Sequence, residues 1–192
     1  MAQSMIFDPI YSPRLIIRHF QATDLPAFLA LRSDPELARY QSWETYNELC
    51  AQAFITEMSN AQPGSPGTWF QFAVALRTNN TLIGDMALHI KADDPRLGEI
   101  GYTLSRQYQG QGLAGEAVTA LLNYLFRELQ LHRVSAICDV RNHASIRLLE
   151  RLGLRREGHT LQAFWNHGEW VDEYLYAILR SEWLQQRTTS DG

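Results

Sequence analysis

The chain has 192 residues, of which 45% are hydrophobic and 20% charged, which excludes a disordered or collagen-like protein and predicts one domain over residues 1–192. Its 17 basic and 21 acidic residues give a net charge of −4, which argues against a dedicated binder of nucleic acid or of an anionic membrane. No segment reaches the roughly 18 apolar residues of a membrane span, and two cysteines are too few for a disulfide framework or a zinc site, so we expect a metal-free cytoplasmic protein.

The first part of the chain predicts one strand and two helices. Residues 15–18 form a short apolar strand, and a helix over residues 25–33 follows the capping side chain of Asp24. A second helix opens at Thr45, which forms a capping box with Glu48 three residues later.

The middle of the chain predicts three strands. Apolar residues alternate over residues 70–76, and after the turn Asn79-Asn80 a second strand returns over residues 82–89, which is the pattern of an antiparallel hairpin. A third strand covers residues 98–104, and its two glycines indicate a bulge or the close approach of another backbone.

A glycine-rich loop, residues 107–117 with the sequence QYQGQGLAGEA, leads into a helix with apolar residues at helical spacing over residues 118–129. A strand over residues 134–140 comes next, so this strand–helix–strand unit predicts a parallel pair of strands. Glycines let the backbone approach a ligand, and the first helical turn directs free N–H groups and the positive end of the helix dipole at it. The loop therefore predicts a site for a phosphate-bearing ligand.

The end of the chain predicts a helix over residues 144–152 and two further strands at residues 154–157 and 171–179. The whole order is β-α-α-β-β-β-α-β-α-β-β. We expect the core to extend from about residue 13 to residue 184, with a polar tail over residues 185–192.

The glycine pattern has more than one interpretation. Gly110, Gly112 and Gly115 match the dinucleotide fingerprint G-x-G-x-x-G, and Asp139 follows at a strand end. However, a polar stretch separates the preceding strand from the first glycine, and too few residues remain for the second half of a dinucleotide domain. No Lys-Ser or Lys-Thr follows the glycines, which excludes an NTPase phosphate loop. A turn that only connects a strand to a helix is the structural alternative.

The pattern Gln107-x-x-Gly110-x-Gly112 resembles the pyrophosphate loop of the GNAT family of acetyl-CoA-dependent N-acetyltransferases. The resemblance extends over nearly the whole chain. Within the family, the sequence looks like the branch of ribosomal-protein N-terminal acetyltransferases, the RimJ/RimL type. It implies an α/β fold with a mixed, mostly antiparallel twisted sheet, a central splayed pair of parallel strands and flanking helices. Further matching blocks are Glu99-Ile100-Gly101-Tyr102, Gly115-Glu116-Ala117, Asn142-x-x-Ser145 and Glu150-Arg151-Leu152-Gly153.

The resemblance implies acetyl-CoA as cosubstrate, without a metal. Backbone N–H groups of the loop would hold its pyrophosphate, and its pantetheine arm would pair with the third strand like an added strand. Several arginines that follow could help to hold the phosphates, although a solvated helix face explains most of them as well. The residues assigned to acetyl-CoA are Ile100, Tyr102, Leu104, Gln109, Gly110, Gln111, Gly112, Leu113, Ala114, Gly115, Asn142 and Ser145, and the arginines are Arg141, Arg147, Arg151, Arg155 and Arg156.

The implied reaction is direct attack of a primary amine on the thioester, which needs an oxyanion donor and a proton for the leaving thiolate. The resemblance assigns the oxyanion donor to the backbone N–H of Tyr102 or Leu104. Many family members protonate the thiolate with a tyrosine at the position that Leu149 occupies here. In the branch that the chain resembles, Ser145 is the residue expected near the sulfur and Asn142 the one on the pantetheine arm, although both are also good helix-capping residues.

The general base is less well defined by the sequence. Glu99 is the best-placed carboxylate, at the mouth of the third strand, although a solvated charge at a strand end explains it equally well. Glu116 is a competitor, but a carboxylate in the first helical turn complements the helix dipole in any case. A bound water could also relay the proton.

The acceptor amine is expected to lie against aromatic side chains with carboxylates nearby, which would suit a cationic group. Core packing is the alternative explanation for each of these aromatic residues. The sequence does not separate a protein N-terminus from a small-molecule amine, and a homodimer is compatible with the resembled branch. A catalytically inactive acyl-CoA sensor with the same fold remains the rival function. The predicted acceptor residues are Trp43, Tyr46, Trp69 and Trp165.

Overall fold

A computed structural model describes residues 7–41, 43 and 46–188, which form one eight-stranded sheet with helices on both faces. The strands are β1 (Ile10–Tyr11), β2 (Leu15–Arg18), β3 (Trp69–Leu76), β4 (Leu82–Ile90), β5 (Leu97–Leu104), β6 (Arg133–Asp139), β7 (Arg155–Asn166) and β8 (Glu169–Leu179). The helices are α1 (Leu25–Arg32), α2 (Pro35–Ala38), α3 (Glu48–Asn60), α4 (Leu113–Arg127), α5 (His143–Arg151) and α6 (Arg180–Thr188).

The strand order is β1-β2-β3-β4-β5-β6-β8-β7, and all neighbours are antiparallel except β5 and β6. The parallel pair is in register only from Leu97↔Arg133 to Glu99↔Ser135. Beyond that point β5 continues to pair with β4, and β6 continues to pair with β8. The two central strands therefore separate, which confirms the predicted fold class and its splayed parallel pair.

The dinucleotide-binding interpretation is wrong for this fold. A doubly wound domain needs an open sheet of mostly parallel strands with the ligand at their carboxyl ends. This sheet is mostly antiparallel and contains one parallel pair among the strands described.

The bulge predicted in the third strand of the sequence, now β5, is absent from its pairing with β4, which is regular from Gly84↔Leu104 to Ile90↔Gly98. The register shift lies instead between β3 and β4, at Val74 and Ala75. At Gly98 the close neighbour is a side chain and not the predicted backbone, because a Cβ there would lie 2.7 Å from Leu131 Cδ1.

Two predicted helix caps differ from the structure. The Asp24 carboxylate does not cap α1 but forms a buried ion pair with Arg18, with Nη1 and Oδ2 2.7 Å apart. Helix α3 begins at Glu48 after Asn47, whose side-chain oxygen accepts from the backbone N–H of Cys50. The predicted cap Thr45 lies outside the described residues.

The C-terminal third contains more regular structure than its polar sequence predicts. Strand β7 continues to Asn166 because it pairs with β8 along a long hairpin, with two register shifts. Residues 185–188, predicted to belong to a polar tail, lie in helix α6. This helix is anchored by Trp183, which is fully buried and donates from its indole nitrogen to Asn123 Oδ1.

The sheet divides the core into two layers. Helix α4 packs on the face that carries Phe72, which contacts Tyr124 of the helix, and we call this the α4 face. The opposite face is covered by α1 and α3, whose Phe28 and Phe54 rings stack 5.0 Å apart, and we call it the α1 face.

A buried ion pair joins α1 to the α1 face of the sheet. The Arg32 guanidinium donates to Asp85 on β4, and both side chains are 3% exposed. Arg32 also donates to Gln71 Oε1, and its Cζ lies 3.8 Å from the centre of the Trp43 ring. Two guanidinium nitrogens and the Trp43 indole N–H have no hydrogen-bond partner among the described residues, so the ion pair and the stacking hold this cluster together.

We expect Asp85→Asn to lower the free energy of unfolding by about 3–5 kcal/mol, because the substitution leaves the buried charge of Arg32 uncompensated. The measurement is urea denaturation of the variant and the wild type. The matched control is Asp94→Asn, which breaks an exposed ion pair with Arg96 and should have little effect. Equal losses in the two variants would contradict the importance of the buried pair.

Candidate active site

A cleft of about 700 Å³ opens where β5 and β6 separate. It lies between the end of β5, the glycine-rich loop, the first turn of α4 and helix α5. Most residues that the sequence assigned to the cofactor are brought together here. The predicted residues that line it are Tyr102, Leu104, Gln109, Gly110, Gly112, Leu113, Ala114, Gly115, Asn142 and Ser145.

Two residues assigned to the cofactor do not line this cleft. Ile100 is 2% exposed and belongs to the hydrophobic core on the α4 face. The Gln111 side chain donates to Gln107 O within the loop and is exposed. Both residues were predicted to contact acetyl-CoA through backbone groups, and the positions of their side chains do not test that prediction.

The glycine-rich loop has a backbone that suits an anion. Gly110 and Gly112 have φ angles of +73° and +77°, a left-handed region that favours glycine. Gly112 caps α4, and the first intrahelical bond runs from Glu116 N–H to Gly112 O. The preceding N–H groups of the first turn therefore remain available to a ligand, together with the positive end of the helix dipole.

The open edge of β5 presents further backbone groups to the cleft. Ser105 N–H bonds to Ile83 O, so odd-numbered residues of β5 direct their N–H and C=O groups toward β4. Ile100, Tyr102 and Leu104 therefore direct theirs toward the space that β6 has left. The Leu104 carbonyl already accepts from the Gln109 side chain at 2.8 Å, which ties the loop to the strand.

Two of the five predicted arginines line the cleft, namely Arg147 and Arg151, and Arg106 joins them. The other three lie outside helix α5 and are engaged elsewhere. Arg141 pairs with Asp139 and Glu169, Arg155 pairs with Glu157 and Glu182, and Arg156 lies over the Tyr174 ring.

Asn142 and Ser145 stand at the start of α5. The Asn142 side-chain oxygen caps the helix by accepting from Ser145 N–H at 3.1 Å, so the capping explanation holds for Asn142. The Ser145 hydroxyl faces the cleft, and its oxygen lies 2.7 Å from the Tyr102 hydroxyl. Leu149, one turn further along, is fully buried and offers no donor.

The Tyr102 side chain is the residue that the sequence analysis missed, because it considered only the backbone of this position. Burial raises the pKa of the Tyr102 hydroxyl, with a smaller opposing effect from Ser145. Cys138 of β6 also interacts with the Ser145 side chain, and burial raises the pKa of the Cys138 thiol to about 11. Both groups are therefore protonated at neutral pH.

Glu116 is held by the N-terminal segment rather than facing an acceptor. Its carboxylate accepts from the Ser12 hydroxyl and from the backbone and side chain of Arg14. Burial acts to raise the Glu116 pKa, but these hydrogen bonds outweigh it, and the pKa is lowered. Glu116 thus has a structural role that the sequence did not predict, because it ties the N-terminal segment to the first turn of α4.

Glu99 lies on the α1 face, in a row of cross-strand neighbours that runs Trp69, His89, Glu99 and Ser135. The Trp69 and His89 rings stack 5.0 Å apart. The Glu99 carboxylate accepts from Lys91 Nζ at 3.0 Å. The structure thus brings the predicted base and one predicted acceptor residue to the same side of the strand separation.

Glu173 of β8 adds a second carboxylate to this face, which the sequence analysis did not single out. It pairs in register with Asp139 at the end of β6. Burial, followed by the charges of Asp139 and Glu99, raises the pKa of Glu173. Three carboxylates therefore lie close to the point where the strands separate, and two of them have cationic partners, Lys91 for Glu99 and Arg141 for Asp139.

The other predicted acceptor residues lie elsewhere. Tyr46 packs edge-on against Phe28 and Phe54 in the layer between α1 and α3, and Trp43 stacks on Arg32. Trp165 lies in β7, where its half-exposed ring is 5.3 Å from the ring of Trp170.

The tip of the β7–β8 hairpin supports one wall of the cleft. Asn166 donates to Arg39 O at 3.1 Å, and a ring nitrogen of His167 lies 3.0 Å from Ala38 O. These carbonyls belong to α2 and its C-terminal cap, and the same segment contributes a wall of the cleft. The sequence analysis did not assign this segment to the ligand site. Its lining residues are Glu36, Leu37, Tyr40 and Gln41.

Comparison with known proteins identifies the family. Residues 14–155 match the family described as Acetyltransferase (GNAT) domain. The chain belongs to the GNAT family of acetyltransferases. The Bacillus subtilis protein named uncharacterized N-acetyltransferase YnaD is 36% identical over 174 residues, covering 91% of this chain and 98% of that protein. This GNAT chain is thus an acetyl-CoA-dependent acyltransferase.

Two further comparisons agree with this assignment. The crystal structure of a GNAT acetyltransferase from Bacillus anthracis superimposes with a TM-score of 0.81 at 34% identity, covering 91% of this GNAT chain and 100% of that chain. The Escherichia coli [ribosomal protein uS5]-alanine N-acetyltransferase is 35% identical over 88 residues, which cover 46% of this chain and 45% of that protein. A relative with this name accords with the expected RimJ/RimL branch.

The part of the chain that the structure describes contains neither a metal-ligand cluster nor a membrane-spanning helix. Within residues 7–41, 43 and 46–188, no three His, Cys, Asp or Glu side chains are grouped so that they could hold a metal ion. No helix in the same part of the chain is long and apolar enough to cross a membrane.

We expect Gly112→Leu to weaken acetyl-CoA binding by roughly tenfold or more, because a side chain at this left-handed position displaces the loop N–H groups. Binding is measured from the thermal shift of the folded variant with acetyl-CoA. Gly64→Leu is the control, since Gly64 also has a positive φ of +93° but lies outside the cleft. Unchanged affinity in Gly112→Leu would show that this loop does not hold the ligand.

Proposed function

We propose that this protein transfers the acetyl group of acetyl-CoA to a primary amine by direct attack within a ternary complex. The observation that carries the proposal is the separation of β5 from β6 beside the first turn of α4. This arrangement offers an anion site and a row of backbone groups in one continuous cleft.

The residues of the cleft fit the parts of acetyl-CoA. The N–H groups around Gly112 and the first turn of α4 suit the pyrophosphate, and Arg147 and Arg151 suit the remaining phosphate charge. The N–H and C=O groups of Tyr102 and Leu104 suit the amides of the pantetheine arm. When bound, acetyl-CoA supplies the activated acyl group.

The two faces of the sheet suit different steps. On the α4 face, the Ser145 hydroxyl can donate to the sulfur as it leaves. On the α1 face, Glu99 can accept the proton that the amine nitrogen loses, directly or through water. The N–H of Tyr102 or Leu104 can donate to the developing oxyanion, because both point into the separation.

A positively charged amine is the acceptor class that the α1 face favours. Glu99 and Asp139 each have a cationic partner, and the half-buried carboxylate of Glu173 lies near both of them. A carboxylate that is partly removed from water attracts an ammonium group more strongly than an exposed one does. Protein N-termini and polyamines both meet this description, and the relative named for the alanine of a ribosomal protein makes the first a natural probe.

A second candidate function is an acyl-CoA-binding module without turnover. The observation in its favour is Leu149, a buried apolar residue where many family members place a donating tyrosine. This candidate would be supported if the protein bound acetyl-CoA but released no free CoA thiol in the presence of any amine.

The test measures thiol release from acetyl-CoA with a panel of amines, namely a peptide with a free N-terminal alanine, the same peptide with a blocked N-terminus, and spermidine. We expect acetyl-CoA to raise the melting temperature, because a ligand at 100 times its Kd stabilises the fold by about 2.7 kcal/mol. We expect thiol release with at least one free amine and none with the blocked peptide. Lack of any thermal shift would overturn the proposed function.

The role of the arginines can be tested separately. We expect the double variant Arg147→Gln/Arg151→Gln to raise KM for acetyl-CoA about tenfold, because charge-assisted hydrogen bonds to phosphate are lost. KM for acetyl-pantetheine, which lacks the nucleotide, should not change. Arg155→Gln serves as the control, since Arg155 pairs with Glu157 and Glu182 instead. An equal effect on both thioesters would contradict the assignment.

A further inference from the structure

Tyr102 and Ser145 meet across the cleft at the point where the parallel strands have separated. The Tyr102 hydroxyl oxygen, carried by β5, lies 2.7 Å from Ser145 Oγ in the first turn of α5. Both residues line the cleft, and they come from opposite walls of it. The contact therefore places two hydroxyl groups side by side near the end of the ligand site.

The Ser145 hydroxyl has the right connections to pass a proton on. A serine hydroxyl offers one proton and two acceptor positions. Asn142 Oδ1 accepts from the backbone N–H of Ser145, so this cap does not occupy the Ser145 hydroxyl, whose neighbours are the Tyr102 hydroxyl and the Cys138 thiol. One acceptor position can receive the Tyr102 proton while the Ser145 proton points at a ligand atom.

The chemical properties of the two hydroxyls favour this direction. A phenol has an ordinary pKa of about 10 and is a better proton donor than an aliphatic hydroxyl. A hydroxyl also donates more strongly when its own oxygen accepts a hydrogen bond at the same time. Burial raises the pKa of Tyr102, which lessens this difference in acidity but keeps the phenol protonated through the physiological pH range, so that a donor is always present.

We propose that Tyr102 acts through Ser145 as a hydroxyl relay that delivers a proton to the leaving sulfur of CoA. The inference rests on the acetyl transfer proposed above. The amine nitrogen forms a bond to the acetyl carbon, and the C–S bond breaks with its electron pair left on sulfur. The sulfur takes the Ser145 proton, Ser145 takes the Tyr102 proton, and water in the cleft reprotonates Tyr102. The proton lost by nitrogen leaves on the α1 face.

In these terms Ser145 is the catalytic residue and Tyr102 is a positioning residue. The relay provides the donor that Leu149 cannot supply, and it draws the donor from the facing strand instead of from the same helix. The other titratable group in contact with Ser145 is Cys138 of β6, and the carboxylates that act on Cys138 are Asp139, Glu150 and Glu173.

The decisive experiment needs CoA but no acceptor. The pKa of the bound CoA thiol is measured from thiolate ultraviolet absorbance, as the difference between complexes with CoA and with desulfo-CoA, which cancels the titration of the protein. A hydrogen bond donated to a thiolate favours the charged form and lowers the thiol pKa. We expect Tyr102→Phe and Ser145→Ala each to raise the bound thiol pKa by about one unit relative to wild type.

The variants are chosen to separate a relay from simple packing. Tyr102→Phe keeps the ring, and the double variant should shift the thiol pKa no further than Ser145→Ala alone, because the two hydroxyls act in series. Tyr124→Phe is the control, since it removes a partly buried hydroxyl from α4 outside the cleft. It should leave the thiol pKa unchanged.

Kinetics with an amine that supports thiol release give a second readout. We expect Tyr102→Phe to lower kcat about tenfold while KM for acetyl-CoA stays within about twofold, because the relay acts on the leaving group and not on binding. Equal thiol pKa values in wild type and Tyr102→Phe, with CoA bound to both, would overturn the relay and leave the proposed function intact. Failure of the wild type to bind CoA would overturn both.

Discussion

The active-site cleft depends on one constraint, which is that β5 and β6 pair for three residues and then separate. Each strand can leave the other because each has a second partner, β4 for β5 and β8 for β6. The separation leaves backbone N–H and C=O groups of β5 without a strand neighbour, and buried backbone groups need hydrogen-bond partners. A ligand with alternating amide groups meets that need, as the proposed pantetheine arm does.

The sheet also keeps two kinds of chemistry apart. Hydroxyl and thiol groups that hold their protons, including Tyr102 and Ser145, gather on the α4 face. Carboxylates, including Glu99 and Glu173, gather on the α1 face. Because side chains alternate across a strand, neighbouring positions of β5 serve opposite faces. One strand can thus support a proton acceptor and a proton donor without the two groups neutralising each other.

Local signals in the sequence were sufficient to predict the central helices and strands. The glycine loop, the α4 pattern and the Asn142 motif predicted the cofactor cleft because backbone conformation and helix starts are encoded over a few residues. The contact between Tyr102 and Ser145 joins positions 43 residues apart, and no local pattern specifies it. The sequence predicted only the start of β7, at residues 154–157, because pairing with β8 overrides the polar composition of the rest. Trp43 looked like an acceptor residue, since the sequence does not reveal the buried Arg32 on which it stacks.

The hydrogen bonds that Ser12 and Arg14 donate to the Glu116 carboxylate affect the affinity for the ligand. Arg14 bonds both to this carboxylate and to the Gln111 carbonyl, 97 positions away in the chain. The glycine-rich loop is therefore ordered by the docking of the N-terminal segment, before any ligand arrives. Conformational entropy that is lost during folding does not have to be lost again on binding. The N-terminal segment that carries Arg14 thus preorganises the loop, although Arg14 itself does not line the cleft. The strength of phosphate binding is therefore coupled to the order of the first strands.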